Sequence, residues 1–100
     1  MQPGDPMQPG DIVRSLRGHD SEHLFLVVKA ASGAVQLVNG AQRRVEKPKQ
    51  KSEKHVRYVA PGVGRAADKL RNGEPVTNRE VRRVLFDYQQ QDSDSGQDAQ

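Results

Sequence analysis

The stretch Pro9–Val28, "PGDIVRSLRGHDSEHLFLVV", decides the fold. A Gly-Asp turn opens it, and Ile12–Leu16 follows as a short β-patterned run. A second turn falls at Gly18, and Leu24–Ala30 is then nearly continuous apolar sequence. That run is too short for a typical buried helix and rich in Val and Phe, so it reads as a central strand buried on both faces. Working outward, Ala31-Ser32-Gly33 is a turn and Ala34–Val38 the next strand. Asn39-Gly40 suits positive φ and predicts a type I′ hairpin, with Ala41–Glu46 as its return strand. Val56–Val59 is a fifth strand. Five short strands linked by tight turns predict a mainly β fold, a small closed barrel. Closure also removes the exposed edges that an open sheet would present.

The pattern then changes. Arg65–Asn72 reads as a short helix, with Ala66, Ala67 and Leu70 suited to packing and Gly73 just past its end. The preceding "PGVGRAAD" reads as a linker, because it lacks the spacing and the Lys of a phosphate-binding loop. Glu74-Pro75 breaks the chain. Thr77 and Glu80 have capping-box spacing. Val81, Val84, Leu85 and Tyr88 follow as a helical stripe. The expected organisation is a disordered N-terminus over residues 1–8, a barrel over 9–60, a helical extension over 61–88, and a disordered acidic tail over 89–100. "MQPGD" occurs at Met1–Asp5 and again at Met7–Asp11. Only the second copy leads into a strand, so translation could start at Met1 or at Met7.

Composition narrows the function classes. The chain has 100 residues and no cysteine, which removes disulfides, thiolate catalysis and cysteine zinc sites. No apolar run approaches the length of a membrane helix, and no signal-peptide core opens the chain. A cytoplasmic protein is the expectation. Residues 12–88 hold all 16 basic residues but only 8 of the 13 acidic ones. Such a basic body favours polyanion partners.

The densest charge is the run Arg43, Arg44, Lys47, Lys49, Lys51, Lys54 and Arg57, with His55 inside it. If the segment is extended, Lys47, Lys49 and Lys51 point to one side and track successive phosphates. Arg14, Arg17 and His19 flank the first turn as further candidates. Arg79, Arg82 and Arg83 on the last helix are candidates for an additional RNA or partner contact. Aromatic residues are four: Phe25, Tyr58, Phe86 and Tyr88. Phe25 belongs to the buried strand and Phe86 lies beside the helical stripe, which leaves Tyr58 to stack on a base. Charge with little stacking suits phosphate, 2′-OH and shape contacts with structured RNA rather than single strands. His19 and His23 are four apart, but on a loop that spacing holds no metal. No serine has a base partner in sequence and no carboxylate pair is framed by apolar residues, so no catalytic residue, metal or cofactor is expected.

Taken together, "PGDIVRSLRGHD", "LFLVV", "LVNGAQRRVEKPKQK", "KHV" and "LRNGEPVTNREVRRVL" resemble the bacterial KOW-domain RNA-binding proteins. Those are related to ribosomal large-subunit KOW proteins of archaea and eukaryotes. The resemblance spans roughly residues 9–88. It implies an SH3-like barrel, binding to ribosomal RNA with ribosomal proteins as neighbours, and a role in translation or ribosome assembly. It implies no small-molecule substrate and no membrane. It also marks the loop Arg17–Asp20 and the stretch Arg43–Lys54 as contact regions. Family members often carry Lys-Gly after the loop Asp, whereas this chain has Ser21-Glu22, which shifts the expected contact toward Arg43, Arg44, Lys47, Lys49 and Lys51. The competing expectation is a protein-interaction adaptor, since SH3-like barrels also bind proteins and Val81–Tyr88 offers a docking stripe.

Overall fold

The computed structural model describes residues 7–18 and 23–98, with side chains described as far as Gln91. The chain is mainly β, one five-stranded antiparallel sheet with two helices. The strands are β1 (Asp11–Ser15), β2 (Leu24–Ala31), β3 (Ala34–Val38), β4 (Lys49–Ser52) and β5 (Val56–Pro61), in the spatial order β4-β3-β2-β1-β5. Helix α1 spans Arg65–Arg71 and α2 spans Asn78–Asp98.

Strand β2 shows why the apolar run matters. It lies between β1 and β3, with Leu26 opposite Ile12 and Phe25 opposite Val13. Successive side chains leave a strand on opposite faces. Phe25 and Val27 therefore join Val13, Val35, Leu37 and Val56 in one apolar cluster. Leu26 emerges on the other side, where Ile12 and Val38 meet Ala66, Leu70, Val81, Val84 and Leu85 of the helices. A central strand must be apolar throughout when both of its faces are covered.

The two edge strands, β4 and β5, are joined by a single three-residue 3-10 turn, Glu53–His55. A flat sheet would set these edges about 19 Å apart, at about 4.8 Å per strand spacing. A 3-10 turn of that length rises only about 6 Å. The sheet is therefore rolled around the Phe25 cluster. Lys51 of β4 reaches across the roll, and its amine donates to Ser15 Oγ (2.7 Å) and to the Arg17 carbonyl (2.5 Å).

The helix ends follow the sequence rules. Thr77 Oγ1 accepts from the Glu80 N–H at 3.1 Å, and the Glu80 carboxylate accepts from the Thr77 N–H at 3.0 Å. Past α1, the Gly73 N–H donates to the Leu70 carbonyl and the Glu74 N–H to the Lys69 carbonyl, the Schellman pattern. Lys69 Nζ then pairs with the Glu80 carboxylate at 3.0 Å and ties α1 to α2.

Three expectations need correction. Asn39-Gly40 does not open a two-residue hairpin, and residues 41–46 form no strand. Asn39 Oδ1 instead accepts from the N–H groups of Ala41 and Arg43, both at 2.9 Å, an Asx-type turn that competes with the ladder. The Val45 N–H donates to Asn78 Oδ1 on α2 at 2.8 Å. The return strand begins only after Pro48, as β4, with Lys49 opposite Leu37 and Lys51 opposite Val35. The second correction concerns the tail. α2 continues past Tyr88 to Asp98, where a disordered tail was expected from residue 89. Glutamine is a good helix former, no proline intervenes, and extending an anchored helix needs no new nucleus. Third, part of the expected disordered N-terminus is held. Met7 packs against the Phe25 cluster and the Gln8 N–H donates to Asp11 Oδ2 at 2.8 Å. Residues 1–6 lie outside the described residues.

Candidate nucleic-acid interface

The alternation of β1 places Ile12 and Arg14 on the helix side of the sheet, and Val13 and Ser15 inside the roll. Arg14 sits directly opposite Leu24 in β2 and Arg57 in β5. Two arginines thus face each other across one ladder. From α2, Arg82 approaches the same region, and its guanidinium donates to the Gly40 carbonyl at 2.6 Å. Arg14, Arg82, His23, Phe86 and Tyr88 line an open groove of about 850 Å³ between the sheet and α2. Phe86 is 54% exposed. It also lines a second groove, of about 650 Å³, with Arg65, Arg79 and Arg83. Arg83 is held within its helix by Asp87, both carboxylate oxygens accepting from Nε at 3.1 Å.

The basic run does not behave as one extended stripe. Arg43, Arg44 and Lys47 lie in the loop before β4, and only Lys49 and Lys51 are on a strand. These two share the face of Leu37 and Val35, are half-buried, and cover the rim of the inner cluster. Lys51 is a structural clasp, because its partner Ser15 is fully buried. Arg43 is half-buried, and its backbone closes the loop by accepting from the N–H groups of Asn39 and Gly40. Arg44 pairs with Glu46 at 3.6 Å. Lys47 and Lys54 are exposed, as are Arg17 and Arg57. His55 is half-buried in the 3-10 turn and its carbonyl accepts from the Leu16 N–H. His19 and the rest of the first loop, through Glu22, lie outside the described residues.

The acids near the loop are occupied. Asn78 Nδ2 donates to both oxygens of Glu46, at 2.8 and 3.2 Å. That hydrogen bond, helped by Arg44, holds the Glu46 carboxyl below its ordinary value. Glu80 is likewise lowered, first by the Thr77 N–H and then by Lys69. Tyr58 is half-buried beside Asp11, and burial pushes its hydroxyl up. It is therefore a less open stacking surface than expected, and Phe86 is a more open one. Sequence reasoning passed over Phe86 because it adjoins the buried stripe Val81–Val84–Leu85–Tyr88. The available signal was its spacing from Arg79, Arg82 and Arg83, at i+7, i+4 and i+3, which puts all four on one helical face.

No protein-family model matches the chain, and no curated protein matches it. Among the described residues, no helix is long and apolar enough to cross a membrane.

Proposed function

We propose that this chain is a non-enzymatic RNA-binding protein of the cytoplasm, its rolled sheet an SH3-like barrel of the KOW type. It captures structured RNA, ribosomal RNA in the first place, and serves translation or ribosome assembly. The observation that carries this reading is the register of Arg14 against Arg57, with Arg82 across the groove. Paired on one ladder, the two guanidinium groups put positive charge on one face of the sheet, the chemistry that binds a phosphate backbone. Arg17, Lys47 and Lys54 extend the exposed basic surface. The sheet fixes the spacing of Arg14 and Arg57, so phosphate contacts set register while shape selects the RNA.

The test is a titration of the whole chain against a structured ribosomal RNA fragment at several salt concentrations. Engagement of about five phosphates gives a slope of log K on log salt of about −3 to −5. The double reversal Arg14→Glu, Arg57→Glu makes that slope shallower by about 2 and weakens binding. A salt-insensitive affinity, or one indifferent to both reversals, defeats the reading.

A further inference from the structure

The exposed apolar groups on this surface differ in their surroundings. Val63 is 72% exposed, and the groove beside it, formed with Ile12, Pro61, Val84, Asp87 and Tyr88, contains no basic residue among the described ones. Phe86 is 54% exposed and stands between two grooves that both contain arginines. An isolated exposed side chain of this kind needs no explanation, but an aromatic ring set among guanidinium groups has a specific chemistry. Its face accepts a nucleobase, and the cations beside it take the phosphates that flank that base. Arg82 is already oriented for this, because one N–H is committed to the Gly40 carbonyl. A guanidinium carries five such donors, so the anchored side chain retains others for an incoming oxygen.

We infer that Phe86 is a stacking platform for one unpaired nucleotide within the structured RNA, with Arg82 and Arg14 holding its flanking phosphates. This inference rests on the RNA-binding reading and adds a substrate feature to it: a bulged or flipped-out base rather than an uninterrupted duplex. A groove of about 850 Å³ has room for a nucleotide. The ring is on a helix whose opposite face is buried through Val81, Val84 and Leu85, so the platform is rigid.

The chain has no tryptophan, so Phe86→Trp installs a single tryptophan reporter at an exposed position. Two RNA hairpins serve as probes, identical except that one carries a single unpaired nucleotide in its stem. The expected result is that the wild-type protein prefers the bulged hairpin by about tenfold or more. Phe86→Ala removes that preference while keeping the affinity for the uninterrupted stem, and the Phe86→Trp fluorescence is quenched by the bulged RNA alone. Equal binding of both hairpins, unchanged by Phe86→Ala and without quenching, overturns the inference while leaving RNA binding intact. It would leave Phe86 an ordinary exposed side chain. Failure of the wild-type protein to bind either hairpin overturns both this inference and the reading beneath it.

Discussion

The two apolar clusters on either side of β2 are built in different ways. The inner cluster takes Val13, Phe25, Val27, Val35, Leu37 and Val56 from strands that follow one another closely in the chain. The helix-side cluster joins Ile12, Leu26 and Val38 to residues 66–85. One is wrapped up by the roll of the sheet, whereas the other needs two helices brought back from the end of the chain. The difference teaches where a binding surface can arise. The inner cluster is buried, so it carries stability. The helix side is covered incompletely, and at its margin Arg14, Arg82 and Phe86 meet in a groove. The helices therefore belong to the same body as the sheet and help to create its candidate site.

The sharpest way to break this comparison is to remove the helices. A chain ending at Gly64 leaves Ile12, Leu26 and Val38 uncovered, and we expect it to lose cooperative unfolding altogether. Circular dichroism through a urea series reads this directly. A cooperative transition at the wild-type midpoint would make the helices an appendage. Within the intact chain, Phe25→Ala should destabilise by about 3–5 kcal/mol and Leu26→Ala by about 2–5 kcal/mol. The inner cluster is thus no less sensitive than the helix side.

A second contrast separates two glycines of nearly equal φ. Gly33 has φ +79° and Gly40 has φ +78°. An added Cβ at Gly33 meets nothing within 4 Å, whereas at Gly40 it lies 2.5 Å from the Asn78 carbonyl oxygen and 2.7 Å from Arg82 Cγ. Gly33→Ala should cost only the left-handed conformation, about 1–2 kcal/mol. Gly40→Ala adds overpacking of about 1–3 kcal/mol and displaces Arg82 from its carbonyl anchor. Paired urea midpoints measure the difference, and equal values would mean that the loop does not rest on α2.

That same loop marks where sequence reasoning stopped. β2 was legible because an unbroken apolar run too short for a helix has few other homes. The start of α2 was legible because Thr77 and Glu80 satisfy each other within four residues. The Asn39–Pro48 loop was not, since its outcome depends on Asn78, a residue 33 positions after Val45, whose side chain accepts the Val45 N–H. Local Asn-Gly chemistry pointed to a hairpin, and a distant helix prevailed. β4 was hidden for a related reason. "KQKS" has no apolar residue, yet Lys49 and Lys51 stand opposite Leu37 and Val35 of the inner cluster, and Lys51 lays its aliphatic stem there while its amine turns to Ser15 Oγ. Of the candidate site, Arg14, Arg57 and Arg82 were legible as candidates from charge. That Arg14 and Arg82 line one groove with Phe86 was not, because it is set by the packing of α2 on the sheet.

The smallest expected effect concerns the junction between the helices. Glu80 caps α2 through the Thr77 N–H and pairs with Lys69 of α1, and both contacts lower its carboxyl from the ordinary 4.5. A group whose folded pKa is depressed contributes stability that is fully present above its unfolded value. That contribution drains away as pH falls through about 4.5 toward the lower folded value. Glu46, lowered chiefly by Asn78, follows the same sign at the loop contact. The contribution of these two carboxylates should therefore be constant through neutral pH and fall once the solution becomes more acidic than about pH 4.5. Glu80→Gln keeps a side chain able to accept from the Thr77 N–H but cannot titrate and loses the attraction to Lys69. It should be slightly less stable than wild type at neutral pH and should lose less on acidification, so the two curves converge at low pH. Urea midpoints measured across that range decide the matter. Parallel curves for wild type and Glu80→Gln would show that the carboxylate contributes nothing at the helix junction and would leave the Glu46–Asn78 contact to account for any acid sensitivity.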